Sequence, residues 1–142
     1  MPSKSESVLA ALGAAIAAGL PAGADYERNG VLPAVLPRGG LVILRDGDPG
    51  EPEFLLSPLT YIYEHRAEVD IVVEGSCRDE LFDALKVAIG TALAADRTLG
   101  GLCDWVEPEA PAPVELPVDG GEEIKAATIG VLLTYETSNP LT

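Results

Sequence analysis

The sequence predicts a single α+β domain over residues 1–142, with a mostly antiparallel sheet of about four to five strands and two helices packed on one face. Three observations lead there. Tyr63–Val73 and Glu123–Thr137 alternate apolar and polar residues with period two. Two other stretches, one near the N terminus and one over Leu81–Asp96, carry apolar residues at helical spacing. The strand-like stretches come in runs with few helices between them, which favours antiparallel pairing over parallel crossovers.

The elements follow in order. Ser3 and Glu6 fit a capping box, with Ser3 as N-cap and Glu6 reaching back. The helix they start places Val8, Leu9, Leu12, Ile16 and Leu20 on one side, and Gly19 and Pro21 punctuate its end. Residues 21–40 hold three prolines and several glycines, and read as an extended arm lying along a surface or an interface. Leu41–Leu44 is a short strand, Asp46–Gly50 a turn, and Phe54–Leu56 the returning arm of a hairpin ended by Pro58. In the long strand that follows, Tyr63, His65, Ala67, Val69, Ile71 and Val73 share one parity. Glu64, Arg66, Glu68, Asp70 and Glu74 share the other, with Val72 the exception, so one face is dry and one wet. Ser76 is the expected N-cap of the second helix, whose stripe is Leu81, Phe82, Leu85, Ala88, Ile89, Ala92 and Leu93. Leu102–Glu107 reads as a strand. Residues 108–121 are dense in proline and read as a second exposed arm. The last strand turns Ala127, Ile129, Val131, Leu133 and Tyr135 to one side.

Charge bounds the partners. Nine basic and 23 acidic side chains give a formal net charge of −14. Such a surface repels nucleic acid and anionic membranes. It serves solubility, or it is a surface that DNA passes without adhering. The alanine-rich run Val8–Leu20 follows Glu6, unlike a signal peptide, and no stretch has the length of a membrane span. Cys77 and Cys103 are expected as two free, buried thiols.

No constellation of catalytic residues emerges, so no catalytic, cofactor or metal residue is assigned. His65 is the sole histidine and has no carboxylate or thiolate at a motif spacing. Cys77 and Cys103 lie far apart, with no CxxC. Asp46, Asp48 and Glu51 imitate part of a calcium loop, but without its glycine position and distal glutamate they read as a turn. The Gly-Gly pairs lack nucleotide-loop spacing, and no serine occupies a nucleophile elbow. The arginines are scattered singly among acids, unlike a nucleic-acid patch. Arg66 and Glu68 on the wet face are a solvated pair or an inter-subunit contact. Trp105, beside Asp104, is a core residue or an interface anchor.

The layout resembles the tail terminator and minor tail proteins of long-tailed bacteriophages, including those of prophages and gene transfer agents. The resemblance spans nearly the whole chain. It is carried by the N-terminal helix, Leu41–Gly47, the strand Tyr63–Val73 with Glu64, His65 and Arg66, the helix Leu81–Asp96, the run Asp96–Gly101, and the terminal strand ending Tyr135, Glu136, Thr137. Where such proteins often end Tyr-Arg-Thr, this chain has Glu136, which alters any contact an arginine makes there. The resemblance implies a structural virion subunit, not an enzyme, assembled in the bacterial cytoplasm and resident in the tail. It implies a homo-hexameric ring, formed in solution or only on the tube, that caps the tail tube, ends its polymerisation and docks to the head connector. DNA would pass through the lumen without specific binding. Arg66, Glu68, Asp104, Trp105, Tyr135 and Glu136 are the interface candidates, with no cofactor and no membrane partner. The alternatives are another head–tail connector or neck subunit, or a small enzyme or ligand-binding α+β protein such as a transferase subunit.

Overall fold

The computed structural model describes residues 1–114 and 123–142. Among these described residues, two helices, α1 (Lys4–Gly19) and α2 (Arg78–Ala95), accompany seven strands: β1 (Asp25–Arg28), β2 (Leu41–Asp48), β3 (Glu53–Leu56), β4 (Leu59–Glu74), β5 (Trp105–Pro108), β6 (Ala112–Val114) and β7 (Ile124–Thr137). The fold is α+β, but the sheet is larger than the four to five strands expected. Its order is β1-β2-β4-β7-β5, with β3 also on β4 and β6 also on β7. All pairs are antiparallel except β1–β2.

The axis of the sheet is β4 against β7, paired from Tyr61↔Thr137 to Glu74↔Ile124. Their odd-numbered residues face both helices. Ala67, Val69, Ile71 and Val73 of β4, with Ala127, Ile129, Val131 and Leu133 of β7, pack on Val8, Leu12 and Ile16 of α1 and on Leu85, Ile89 and Leu93 of α2. The apolar parity read from the sequence is therefore the core, and both helices lie on one face. A smaller cluster of Leu36, Leu41, Ile43 and Val72 covers part of the opposite face.

Five local expectations are corrected. β2 does not form a hairpin with β3. It continues through Asp46 and Gly47 as a bulged strand along β4, and the hairpin is β3–β4, closed at Leu56↔Leu59. The 21–40 arm contains β1, and the 108–121 arm contains β6; residues 115–121 of that arm lie outside the described residues. Cys77, not Ser76, caps α2, with no side-chain hydrogen bond, and its thiol is exposed whereas Cys103 is buried. Both thiols are free.

The capping box forms by half. Ser3 Oγ accepts the Glu6 N–H at 3.2 Å, but the Glu6 carboxylate turns to Arg28 of β1. The Arg28 guanidinium forks between Glu6 (2.5 and 2.9 Å) and Asp46 of β2 (2.9 Å), joining α1 to the edge of the sheet. This pairing holds the Glu6 carboxyl below its ordinary value of 4.5. Arg28→Met should cost about 1–2 kcal/mol at neutral pH, since the acids are half-exposed and screened. Because the folded-state value of Glu6 is depressed, its contribution is full above pH 4.5 and is lost as pH falls through the folded value. Urea denaturation of both proteins at pH 7 and pH 3 should show the difference shrinking in acid.

Candidate functional site

The even-numbered residues of β4 and β7 form the face turned away from the helices. It carries Glu64, Arg66, Glu68 and Asp70 from β4, and Thr128, Gly130, Leu132, Thr134 and Glu136 from β7. Trp105 and Glu107 extend the same face from β5, opposite Thr134 and Leu132, and Glu53 extends it from β3, opposite Ile62. Period-two geometry thus gathers onto one surface acids that are scattered in sequence. Glu51, Glu53 and Glu64 line a shallow cleft of about 140 Å³ on it.

The structure brings together four of the six candidates. Arg66, Glu68, Trp105 and Glu136 share the open face, and Asp104 lies exposed at its margin, its N–H donating to the Thr134 carbonyl at 2.7 Å. Tyr135 is the exception. It points to the helix side, is 2% exposed, and cannot meet a partner there. Arg66 does not pair with Glu68; it reaches across β7 to Glu109 at 2.7 Å. The ion pair lies over Gly130, where a β-carbon would touch the ends of both side chains. Those ends are flexible and half-exposed. Gly130→Ala should therefore change stability by less than about 1 kcal/mol, the lost pair being offset by better strand propensity; thermal unfolding checks this.

Trp105 is not a core residue. It is 49% exposed, and its indole N–H donates to Glu107 Oε2 at 2.7 Å. The Arg97 guanidinium sits 5.1 Å from the ring centroid and donates to Glu107 and to the Val106 carbonyl. An aromatic side chain held this rigidly while half in water suits a contact surface. Arg97 and Glu107 were not candidates from sequence; only the proximity of Arg97 to Trp105 in the chain hinted at the stack. The turn that delivers Arg97 is organised by Asp96, whose carboxylate accepts from Thr98 N–H and Oγ1 and from Gly100 N–H at 2.8–3.0 Å. Those donors hold the Asp96 carboxyl below its usual range. The run Asp96–Gly101 is thus a self-capped exit from α2.

His65 lies 3% exposed at the floor of a cleft of about 250 Å³ between the start of α1, the β2 bulge and residues after β7. Nε2 is 2.6 Å from the Asp46 carbonyl, which can only accept, so Nε2 carries the proton. Nδ1 then accepts from the Tyr135 hydroxyl at 2.8 Å. Burial pushes the Tyr135 phenol up to about 12, which keeps it a neutral donor. Both ring nitrogens are engaged in holding β2, β4 and β7 together. Burial also pushes the Cys103 thiol up, and its Sγ faces the Arg97 carbonyl at 3.8 Å. The carboxylate of Asp46 binds Arg28 and Asn29, and that of Asp48 caps Gly50, so the acidic turn is a bulge and loop. Among the described residues, no group of three or more His, Cys, Asp or Glu is placed to hold a metal ion, and no helix is long and apolar enough to cross a membrane.

No family model matches the chain, and no curated protein matches it.

Proposed function

We propose that the chain is a structural virion subunit that caps a phage tail tube as a ring, ends tube polymerisation and presents the surface that docks to the head. The observation that carries the reading is the open sheet face, where acids from β3, β4, β5 and β7 lie beside the half-exposed Trp105. Such a face repels DNA passing it, and its aromatic margin suits contact with protein. The layout's resemblance to tail terminators adds the assembly: a homo-hexamer on the tube, flanked by tail tube and head connector proteins and resident in the virion tail.

Deleting the gene from the phage or prophage that carries it tests this, with tail length read by electron microscopy. Overlong, headless tails are expected. Tails of normal length that fail to join heads would move the subunit to the connector. Intact infectious particles would overturn the virion reading.

A further inference from the structure

The first turn of α1 leaves the N–H groups of Lys4, Ser5 and Glu6 without a helical partner, because the first helical bond runs from Ser7 N–H to the Ser3 carbonyl at 2.9 Å. Lys4 N–H is answered by the Thr142 carbonyl oxygen at 2.8 Å, and Glu6 N–H by Ser3 Oγ. Ser5 N–H has no acceptor among the described residues. Ser5 lines the cleft whose floor is His65.

A second, independent group opens into the same space. Tyr63 is only 8% exposed, yet its hydroxyl makes no hydrogen bond to any described residue. A side-chain oxygen sealed in the core must be bonded, and among the described residues none is left unbonded there. The Tyr63 hydroxyl therefore opens into the cleft that Tyr63 lines. The floor has no acceptor for it, since His65 and Tyr135 are engaged with each other and with the Asp46 carbonyl. Tyr63 touches that pair through its ring alone, 5.7 Å from the ring of Tyr135. An N–H at a helix end and a phenol O–H thus face one cavity, and a single oxygen with two lone pairs answers both.

Charge and size narrow the ligand. Glu6 and Asp46 line the cleft, but Arg28 holds both carboxylates. Lys4 also lines it and joins none of the ion pairs among the described residues. Two cations therefore offset two anions, and neither sign is in clear excess. An anion would also meet the field of a chain of net charge −14, and a cation would meet Lys4 and the positive end of α1. A neutral acceptor escapes both penalties. The cleft holds about 250 Å³, where a cavity of about 150 Å³ accommodates benzene, so a ring-sized body and a small polar head fit. Leu9, Pro49, Pro140 and the Tyr63 ring are its apolar walls.

We propose that this cleft binds a small neutral carboxamide with a compact apolar body, its carbonyl oxygen accepting from Ser5 N–H and the Tyr63 hydroxyl. The site goes beyond the cap reading and is independent of it.

The probe is benzamide, with benzoate and benzamidine as its charged counterparts, each titrated into the isotope-labelled full chain and followed by amide NMR shifts. Benzamide should move the Ser5 amide along a saturable curve in the millimolar range, and both ions should bind more weakly. Tyr63→Phe removes a hydroxyl that bonds nothing inside the fold. It should weaken benzamide by about fivefold, the worth of one hydrogen bond, and leave the urea midpoint unchanged. The absence of a saturable shift at tens of millimolar benzamide overturns the proposal. Tighter binding of benzoate, selected by Lys4, or of benzamidine, selected by the acids, overturns it too. So does unchanged affinity in Tyr63→Phe, or a lowered urea midpoint, since the hydroxyl would then be bonded within the fold.

Discussion

Gly47→Ala should lose about 3–5 kcal/mol of stability, a large share of the roughly 5–15 kcal/mol that holds a domain of this size. Gly47 sits at φ +69° inside the β2 bulge, where the register against β4 shifts between Arg45 and Asp48. A side chain there costs about 1–2 kcal/mol for the left-handed backbone alone. Its β-carbon would also collide with the Arg66 carbonyl oxygen and lie 2.9 Å from Ala67 Cα, both backbone atoms of a central strand that cannot swing aside. β2 must then part from β4, which breaks the Asp46 carbonyl bond to His65 and adds about 1–3 kcal/mol. Gly50 is the matched control. Its φ is +70°, yet an added β-carbon meets nothing within 4 Å, so Gly50→Ala should cost only the backbone strain. Urea midpoints of the two variants give the answer. Equal losses would mean that strain alone, and not the bulge packing, sets the cost.

His65→Ala should cost about 3–4 kcal/mol. It empties a space at the floor of the cleft and leaves two partners, the buried Tyr135 hydroxyl and the half-buried Asp46 carbonyl, without their hydrogen bond. Tyr135→Phe should cost less, about 1–3 kcal/mol, because it removes one donor and keeps the ring packing against Tyr63 at 5.7 Å. The double variant should cost less than the sum of the two, the shortfall measuring the His65–Tyr135 bond. Full additivity in urea denaturation would show that the pair contributes nothing as a pair. This outcome also bears on the enzyme alternative, since a histidine that acts as a general base would show its loss in activity rather than in the unfolding midpoint.

The elements readable in the sequence were those whose pattern is local. α1, β4, α2 and β7 declare themselves by periodicity, and their apolar residues are the core. The corrections share a physical cause: structure fixed by distant partners leaves little local trace. β1 has four residues, only Tyr26 and Arg28 of which turn inward, and it exists because β2 offers a parallel edge. β6 contains Pro113, which a strand tolerates at an edge where no ladder donor is needed. Asp46-Gly47-Asp48 has turn composition, but glycine in the left-handed region serves a bulge as readily as a turn, so β2 ran on where a break was expected. For the site, alternation placed Arg66, Glu68 and Glu136 on one face correctly. It also placed Tyr135 inward, against its candidacy. The exposure of Trp105 and of the β3 tip depends on what packs beside them, which no spacing encodes.

The central position of β7 bears on how the chain acquires its shape. β7 pairs with β4, β5 and β6, and all three are synthesised before it. At about 5–20 residues per second, β4 leaves the ribosome several seconds ahead of the strand that completes it. Through that interval Val69, Ile71 and Val73 have α1 to cover them, α2 only once Arg78–Ala95 has followed, and no neighbour along one whole edge. The sheet therefore closes only after β7 emerges. Aggregation of any product truncated before Ile124 is the expected outcome, because one edge of β4 then stays open.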